Sequence, residues 1–395
     1  MGARSLSTLA VTAGFGEQQP DPNLLVHGDC LQALSCLASE KGYAGEVRVA
    51  YLDPPFNTGE RFRDFDDAME RDDWSSFMAE RLERTWRLLR SDGSLWVHCD
   101  DAEQATLRIL MDSLFGRDAF VATIVWQRRY SRENRLAFSK SHDYLHVFAP
   151  AGGEWKRYRN RLPRNDKPGA WRNPDHDPRG SWSTVSLTAQ GGHGTPDQFY
   201  AITLPSGRVV EPPAGSCWRV TRERYLELLL EGRIWCGAGG DNVPRRKVYL
   251  DQALGLVPST WWPHSEAGHN AEANSELRSL FPNEIPFSTP KPERLMARVV
   301  ELASAPGELV LDPFLGSGTT ASVAHKAGRR WVGVEVNEST IDRFAAPRLL
   351  GVLDGPDAAA ASEIFDWRGG GGFCRAAPVL APRGRRRRLI EREMV

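Results

Sequence analysis

Two short segments hold the side chains with chemistry to offer, Asp53-Pro54-Pro55-Phe56 and Asp312-Pro313-Phe314-Leu315-Gly316-Ser317-Gly318-Thr319. In the first, two successive prolines fix the backbone and remove two N–H donors. The loop therefore presents a carboxylate and carbonyl oxygens, all acceptors, beside the flat face of Phe56. That combination suits a planar base with an exocyclic amino group, extruded from its stack. Amino nitrogen is a poor nucleophile because its lone pair is delocalised into the ring; acceptors holding both hydrogens favour pyramidalisation and expose the pair. The same four residues also read as a rigid turn capped by a core aromatic.

In the second segment, Gly316 and Gly318 let backbone N–H groups approach a ligand at the start of a helix beginning at Thr319 or Thr320. An acidic residue ending the following strand, Glu335, is placed for ribose hydroxyls. The pattern departs from the GxGxxG fingerprint, and the Asp312 that opens it suits a cationic group such as the ammonium of a methionine moiety. An adenosine-containing cofactor is the expected ligand.

Apolar runs precede both segments, Val47 to Leu52 and Glu308 to Leu311, and read as buried strands, so both loops sit at carboxyl ends of strands in an α/β sheet. Leu24 to Cys30, followed by Leu31 to Ser39, reads as strand, turn and helix. Trp74, Phe77, Met78, Leu82, Trp86 and Leu89 form a helical stripe, Ser94 to His98 another strand, and Glu103 to Phe115 another helix. Alternation returns with a helix over Pro292 to Ala303, one through Ala327, and a strand over Trp331 to Val336. Such alternation predicts a mostly parallel sheet covered by helices. Between about Ala151 and Ser288 the rhythm breaks; only Arg222 to Leu230 reads as a clear helix.

The expected division is a flexible arm over 1–22, a catalytic half over 23–150, a recognition region over 151–288, a cofactor-binding half over 289–350, and a C-terminal extension over 351–395 ending in Arg383 and Arg385 to Arg388. The 395 residues balance 50 Lys and Arg against 51 Asp and Glu, so only the local charge pattern speaks to partners. From Trp126 to Trp182 there are thirteen positive and six negative residues, interleaved with aromatics. This points to nucleic acid, with Arg128, Arg129, Arg132, Arg135, Lys156, Arg157 and Arg159 as the candidate contacts, although a solvated basic face would look the same. The six cysteines show no CxxC pair or zinc-ligand spacing, so no metal is expected. His142 and His146 lack a third ligand, and His98 beside Cys99 lacks a triad partner by spacing. No apolar run approaches a membrane span, giving a cytoplasmic expectation.

With its DPPF and DPFLGSGTT segments in that order, the chain resembles the β-group of S-adenosylmethionine-dependent DNA amino-methyltransferases. It is most similar to the Mod (methyltransferase) subunit of type III restriction-modification systems. The supporting segments are Tyr51 to Gly59, Gly93 to Asp101, Ser141 to Tyr144, Phe287 to Leu295 and the glycine loop, with Gly369 to Phe373 similar to that subunit's tail. The resemblance implies a permuted Rossmann-like class I methyltransferase sheet with an inserted target-recognition lobe. It implies methylation of adenine N6 in double-stranded DNA after base flipping, with S-adenosyl-L-methionine as cofactor. Asp53 and the Pro54 carbonyl would hold the amino group and Phe56, next to Pro55, would stack on the base. Asp312, Phe314, Gly316, Gly318 and Thr319 would line the methionine end, Glu335 the ribose and Asp29 the adenine side, while Lys291 and Pro292 would close over the methionine. Asp29 also reads as a turn residue before a helix, and Lys291 as a surface lysine.

A homodimer and a separate restriction endonuclease subunit are the implied partners, the latter left open because the chain is shorter than the usual Mod subunit. The catalytic aromatic is Phe rather than the commoner Tyr, which keeps stacking and loses a hydroxyl. N4-cytosine methylation poses the same chemical problem and is the alternative; Asp rather than Ser before Pro-Pro favours adenine. A catalytically silent DNA-binding protein on the same fold is the other.

Overall fold

The computed structural model describes residues 7–17, 19–40, 43–60, 67–134, 137–162, 164 and 169–380. The candidate contact Arg135 and the arginine run from Arg383 lie outside them. The chain divides into two compact units, one spanning Arg161–Val257 and one made of the chain on either side.

The larger unit is built on one ten-stranded sheet. In chain order it contains β1 (Ser7–Gly16), β2 (Asn23–His27), α1 (Cys30–Leu37), β3 (Val47–Leu52), α2 (Arg71–Leu88), β4 (Leu89–Cys99), α3 (Gln104–Phe115), β5 (Phe120–Trp126) and β6 (Asp143–Phe148). After the smaller unit come β7 (Trp261–Trp262), α4 (His264–Ala267), α5 (Asn270–Leu280), α6 (Glu293–Ala303), β8 (Leu309–Asp312), α7 (Thr319–Lys326), β9 (Arg330–Glu335), α8 (Ala346–Asp354), α9 (Ala360–Ile364) and β10 (Gly372–Leu380). The strand order is β1-β10-β2-β9-β8-β3-β4-β6-β5-β7. From β10 to β4 all neighbours are parallel; β6 runs against both β4 and β5, and β1 against β10. This is the expected α/β sheet, permuted so that β3 and β4 precede β8 and β9 in the chain.

The central strands are apolar runs because both of their faces are covered. All six residues of β3 are buried. From α2, Trp74, Met78 and Leu82 reach the common core at 0% exposure, each burial contributing about 1.5–3 kcal/mol. The connection from β8 leads to β9 on one side and that from β3 to β4 on the other, so the two strands flank the switch point where open sheets form their ligand crevice.

Four expectations change. Residues 372–380, expected in a C-terminal extension, form β10 inside the sheet, between β1 and β2. Residues 7–16 are not a free arm: they pair with β10 as a strand, with a register shift between Val11 and Ala13, and Phe15 stacks on Phe373 of β10 at 4.9 Å. Residues 258–288 belong to the larger unit, because Trp261 and Trp262 extend the sheet by pairing with Val125 and Trp126. This stretch also contains α5, a helix that the run of polar residues concealed. Among the described residues, no helix is long and apolar enough to cross a membrane.

The smaller unit carries short antiparallel pairings, including a three-stranded sheet of Ile234–Trp235, Arg245–Tyr249 and Trp182–Ser186, and the helix Arg222–Leu230. Leu187, Ile202, Leu204, Trp218 and Tyr225 form its own core. The buried Asp177 accepts from Arg179, Lys247 and Tyr249, which hold its carboxyl well below the usual carboxylate range.

β1 and β10 meet closely at a glycine: a Cβ on Gly372 would stand 2.2 Å from the Glu17 carbonyl oxygen and 2.6 Å from that of Phe15. Gly372→Ala should therefore lower unfolding free energy by about 1–3 kcal/mol. Urea denaturation checks this, and an unchanged midpoint would contradict the pairing.

Candidate active site

Four acceptor bonds fix the loop after β3. The Trp74 indole N–H donates to the Pro55 carbonyl at 2.8 Å. Asp67 accepts from the N–H groups of Asn57 (2.8 Å) and Thr58 (3.1 Å), and the Asn57 side-chain oxygen accepts from Met69 N–H at 2.7 Å. Asn57 takes φ of +58°, a left-handed conformation that asparagine tolerates better than most residues. With the Pro55 carbonyl engaged, Asp53 and Pro54 are the acceptors that line the cavity, beside Phe56. Asp53 Oδ1 is buried with no hydrogen-bond donor among the described residues, a costly state unless a ligand supplies one. Asp53 Oδ2 faces Lys291 Nζ at 2.6 Å.

Under the loop lies a residue that sequence spacing left without a role. His98 is fully buried; its Nδ1 is 2.8 Å from Tyr51 Oη and its Nε2 3.3 Å from Asp143 Oδ2. Its ring lies 5.4 Å from that of Phe56, tilted by 31°, and so supports the stacking face from below. Burial, reinforced by the Lys291 ammonium, lowers the His98 pKa, which keeps the ring neutral. Asp143 Oδ1 is held by Arg128 Nε at 3.1 Å. The only sequence signal for this group was a polar residue at the end of an apolar strand.

β8 delivers Asp312, 3% exposed, whose Oδ1 accepts from Phe314 N–H at 2.9 Å. Burial pushes its carboxyl up to about 7, with Asp53 and Glu335 adding repulsion. Glu335 accepts from Gly316 N–H at 2.9 Å and Asn337 N–H at 2.8 Å; burial raises it too. Gly316 has φ of +53°, and the Phe287 ring stands 3.3 Å from where its Cβ would be. Gly318 also has a left-handed φ, +84°; it faces Ala345 Cα, 3.1 Å from a would-be Cβ, and does not line the cavity. Thr319 lines it, and its hydroxyl accepts from Arg348 at 2.8 Å.

Asp29 lines the cavity and is also the N-cap of α1, accepting from Leu31 and Gln32 N–H, with Arg81 at 3.3 Å. Arg81 lies 3.5 Å over Phe77, which packs against Phe314 at 6.2 Å, so the three close one wall. Lys291 is not a surface lysine: it is 9% exposed and sits 5.2 Å from the Phe56 centroid. Pro292 caps α6 against Gly268 and stays out of the lining. The resulting cavity of about 520 Å³ holds three carboxylates raised by burial, Asp100, Asp312 and Glu335, and no basic side chain is bonded to the last two among the described residues. Those acceptors fit a cationic ligand bearing ribose hydroxyls.

The basic candidates separate. Arg128 lines the cavity, while Arg129 and Arg132 are exposed in the loop that follows β5. Lys156, Arg157 and Arg159 are not brought to the site. β6 pairs Tyr144 with Cys99 at the site end and Phe148 with Leu95 at the other, and the chain then continues away from the catalytic loop. At the far end of β3, Arg48 donates to the Tyr158 carbonyl at 2.6 Å; six strand residues span roughly 20 Å. Lys156 and Arg157 both pair with Glu154 there. Linear charge density had grouped residues that the reversal of β6 carries apart.

Comparison with known proteins yields one family and three relatives. Residues 47–346 match the family model described as DNA methylase. The type III restriction-modification enzyme StyLTI Mod subunit of Salmonella typhimurium is 29% identical over 78% of this chain and 50% of its own length. The probable type III HindVI Mod subunit of Haemophilus influenzae is 27% identical over 92% and 54%, and the type II methyltransferase M.EcaI of Enterobacter cloacae 29% over 83% and 70%. The chain thus spans about half the length of the two Mod subunits.

Asp67→Ala should free the catalytic loop. Amide exchange at Asn57 and Thr58 is expected to accelerate at least ~10-fold, since a hydrogen bond to a charged group contributes about 1.5–3 kcal/mol. Hydrogen exchange followed by NMR measures this, and unchanged protection would refute the clamp.

Proposed function

The chain belongs to the DNA methylase family, and from that premise we propose that it transfers a methyl group from S-adenosylmethionine to N6 of adenine in double-stranded DNA after base flipping. The observation that carries this reading is the buried, donorless Asp53 Oδ1 beside Phe56, one strand away from the Asp312 and Glu335 pocket. S-adenosylmethionine supplies an electrophilic methyl on a sulfonium. Asp312 and Glu335 bind its ammonium and ribose. Asp53 and the Pro54 carbonyl accept the two N6 hydrogens and turn the lone pair towards the methyl, while Phe56, backed by His98, holds the base plane. Alignment of this kind supplies most of the acceleration. The N6 proton becomes acidic once nitrogen is alkylated, and Asp53 is the acceptor within reach.

Lys291 has a part in this cycle. Its ammonium donates to Asp53 and rests near Phe56, the first a contact for the adenine amino group and the second for the base plane. It keeps the carboxylate paired before DNA arrives and yields its place as the base enters. We assign target recognition to Arg161–Val257. A homodimer acting with a separate restriction endonuclease subunit is the assembly we infer; for the second subunit the support is that the two Mod relatives are subunits of restriction-modification enzymes.

Modified-base sequencing of DNA from cells expressing the chain should find N6-methyladenine at one sequence context. Modified cytosine, or no modification, would overturn the reading. Asp53→Ala should reduce transfer by about 10²- to 10⁴-fold, the usual weight of a group handling the reacting proton, while cofactor binding survives.

Asp312 predicts a pH dependence. A carboxyl raised to about 7 is neutral below that pH and ionised above it. Affinity for the cationic cofactor should therefore rise with pH towards 7 and level off beyond it. Calorimetric titration across pH 5.5–8.5, a range set about that value, should show this slope in the wild type and a weak, flat profile in Asp312→Asn.

A further inference from the structure

A second cavity, of about 400 Å³, adjoins the first and shares Arg128, Lys140 and Asn270 with it. It opens where β5 and β7 end side by side, so that the residues following each emerge together. Tyr130, 62% exposed, packs there against the rings of His264 at 5.4 Å and His269 at 5.1 Å, which are themselves 5.7 Å apart, so that the three rings form a triangular cluster. Two bonds tie the segments: His264 Nδ1 is 2.9 Å from Gln127 Oε1, and Asn270 N–H donates to the Arg128 carbonyl at 2.9 Å. The platform is thus built in advance rather than gathered by a ligand.

Charge around it is cationic at the surface. Arg129 and Lys140 are exposed. The acidic neighbours are already engaged: Asp143 holds Arg128, Glu133 lies 3.8 Å from Arg129, and Glu272 lies 3.4 Å from His269 Nδ1. An exposed aromatic face among cations is how single nucleotides are held, the ring stacking on a base and the cations meeting phosphate. Phe56 and Asp53 occupy the place of the extruded base, so a ligand in the adjoining cavity is a neighbour in the same strand.

Resting on the methyltransferase reading, we propose that Tyr130, supported by His264 and His269, stacks on the base of the nucleotide adjoining the flipped adenine, with Arg129 and Lys140 at its phosphate. The flipped nucleotide is then held at two consecutive positions, and sequence preference next to the target is read partly by stacking.

The test uses the full chain and a duplex carrying the sequence it methylates, intact or with an abasic residue on either side of the target adenine. Binding is measured by fluorescence anisotropy. The wild type should lose about 10-fold in affinity on one of the abasic duplexes, in keeping with the weight of one base–aromatic stack. Tyr130→Ala should lose as much on intact DNA and nothing further on that duplex, and Tyr130→Phe should behave as the wild type. Losses that multiply, or no loss in Tyr130→Ala, overturn the platform while methylation by the wild type stands. Absence of methylation by the wild type overturns the methyltransferase reading and the platform with it.

Discussion

The parallel pairing of β3 with β8, Leu311 beside Ala50, is the constraint from which the site follows. It sets Asp53 and Asp312 at the ends of neighbouring strands, and β9 adds Glu335 on the far side. Three carboxylates at one poorly solvated edge repel each other, and burial alone penalises their charged forms. The molecule meets this in two ways. Asp312 and Glu335 are pushed upward, and Asp53 is given the Lys291 ammonium. Under the proposed function, a cationic ligand would relieve the first pair and a base amino group would substitute for the lysine on Asp53. The same electrostatic stress that burdens the ligand-free site would then create its affinity.

Lys291 can serve Asp53 only if α6 is anchored, because the lysine stands just before that helix. Glu293, in the first turn and fully buried, provides the anchor. It accepts from Lys326 at 3.0 Å, Arg348 at 2.8 Å, Ser322 at 3.1 Å and Ala361 N–H at 3.0 Å. Arg348 also holds Thr319 in the cavity wall, so one buried cluster fixes both the lysine and the glycine loop. Taking one partner from such a cluster leaves an uncompensated charge and costs about 3–5 kcal/mol. Glu276, which accepts from Glu293 N–H, is pushed up to about 7 by burial and by Glu293.

Most of the sheet was legible because its strands are covered on both faces and read as apolar runs, as β3 and β8 do. β1 was not, since its residues are small and its partner β10 lies more than 350 positions away. The helix α5 was hidden by a sequence polar on most faces, burying only Ala273 and Leu277. Within the site, the conformational demands of Pro54, Pro55 and Gly316 are local and could be read from residue type. Gly318 shares that demand, with φ of +84°, and also meets Ala345, a packing contact that no loop motif encodes.

The sequence by itself determined which two loops line the cavity, because proline, glycine and strand periodicity act over a few residues. Tertiary structure decided how the remaining groups are shared between them. It set Lys291 on Asp53 across 238 positions and joined His98 to Tyr51 and Asp143. It also carried Lys156 and Arg157 to the far end of β3 while leaving Arg128 at the cavity. Those outcomes depend on strand order and on the reversal of β6, which are properties of the assembled sheet and of no single segment.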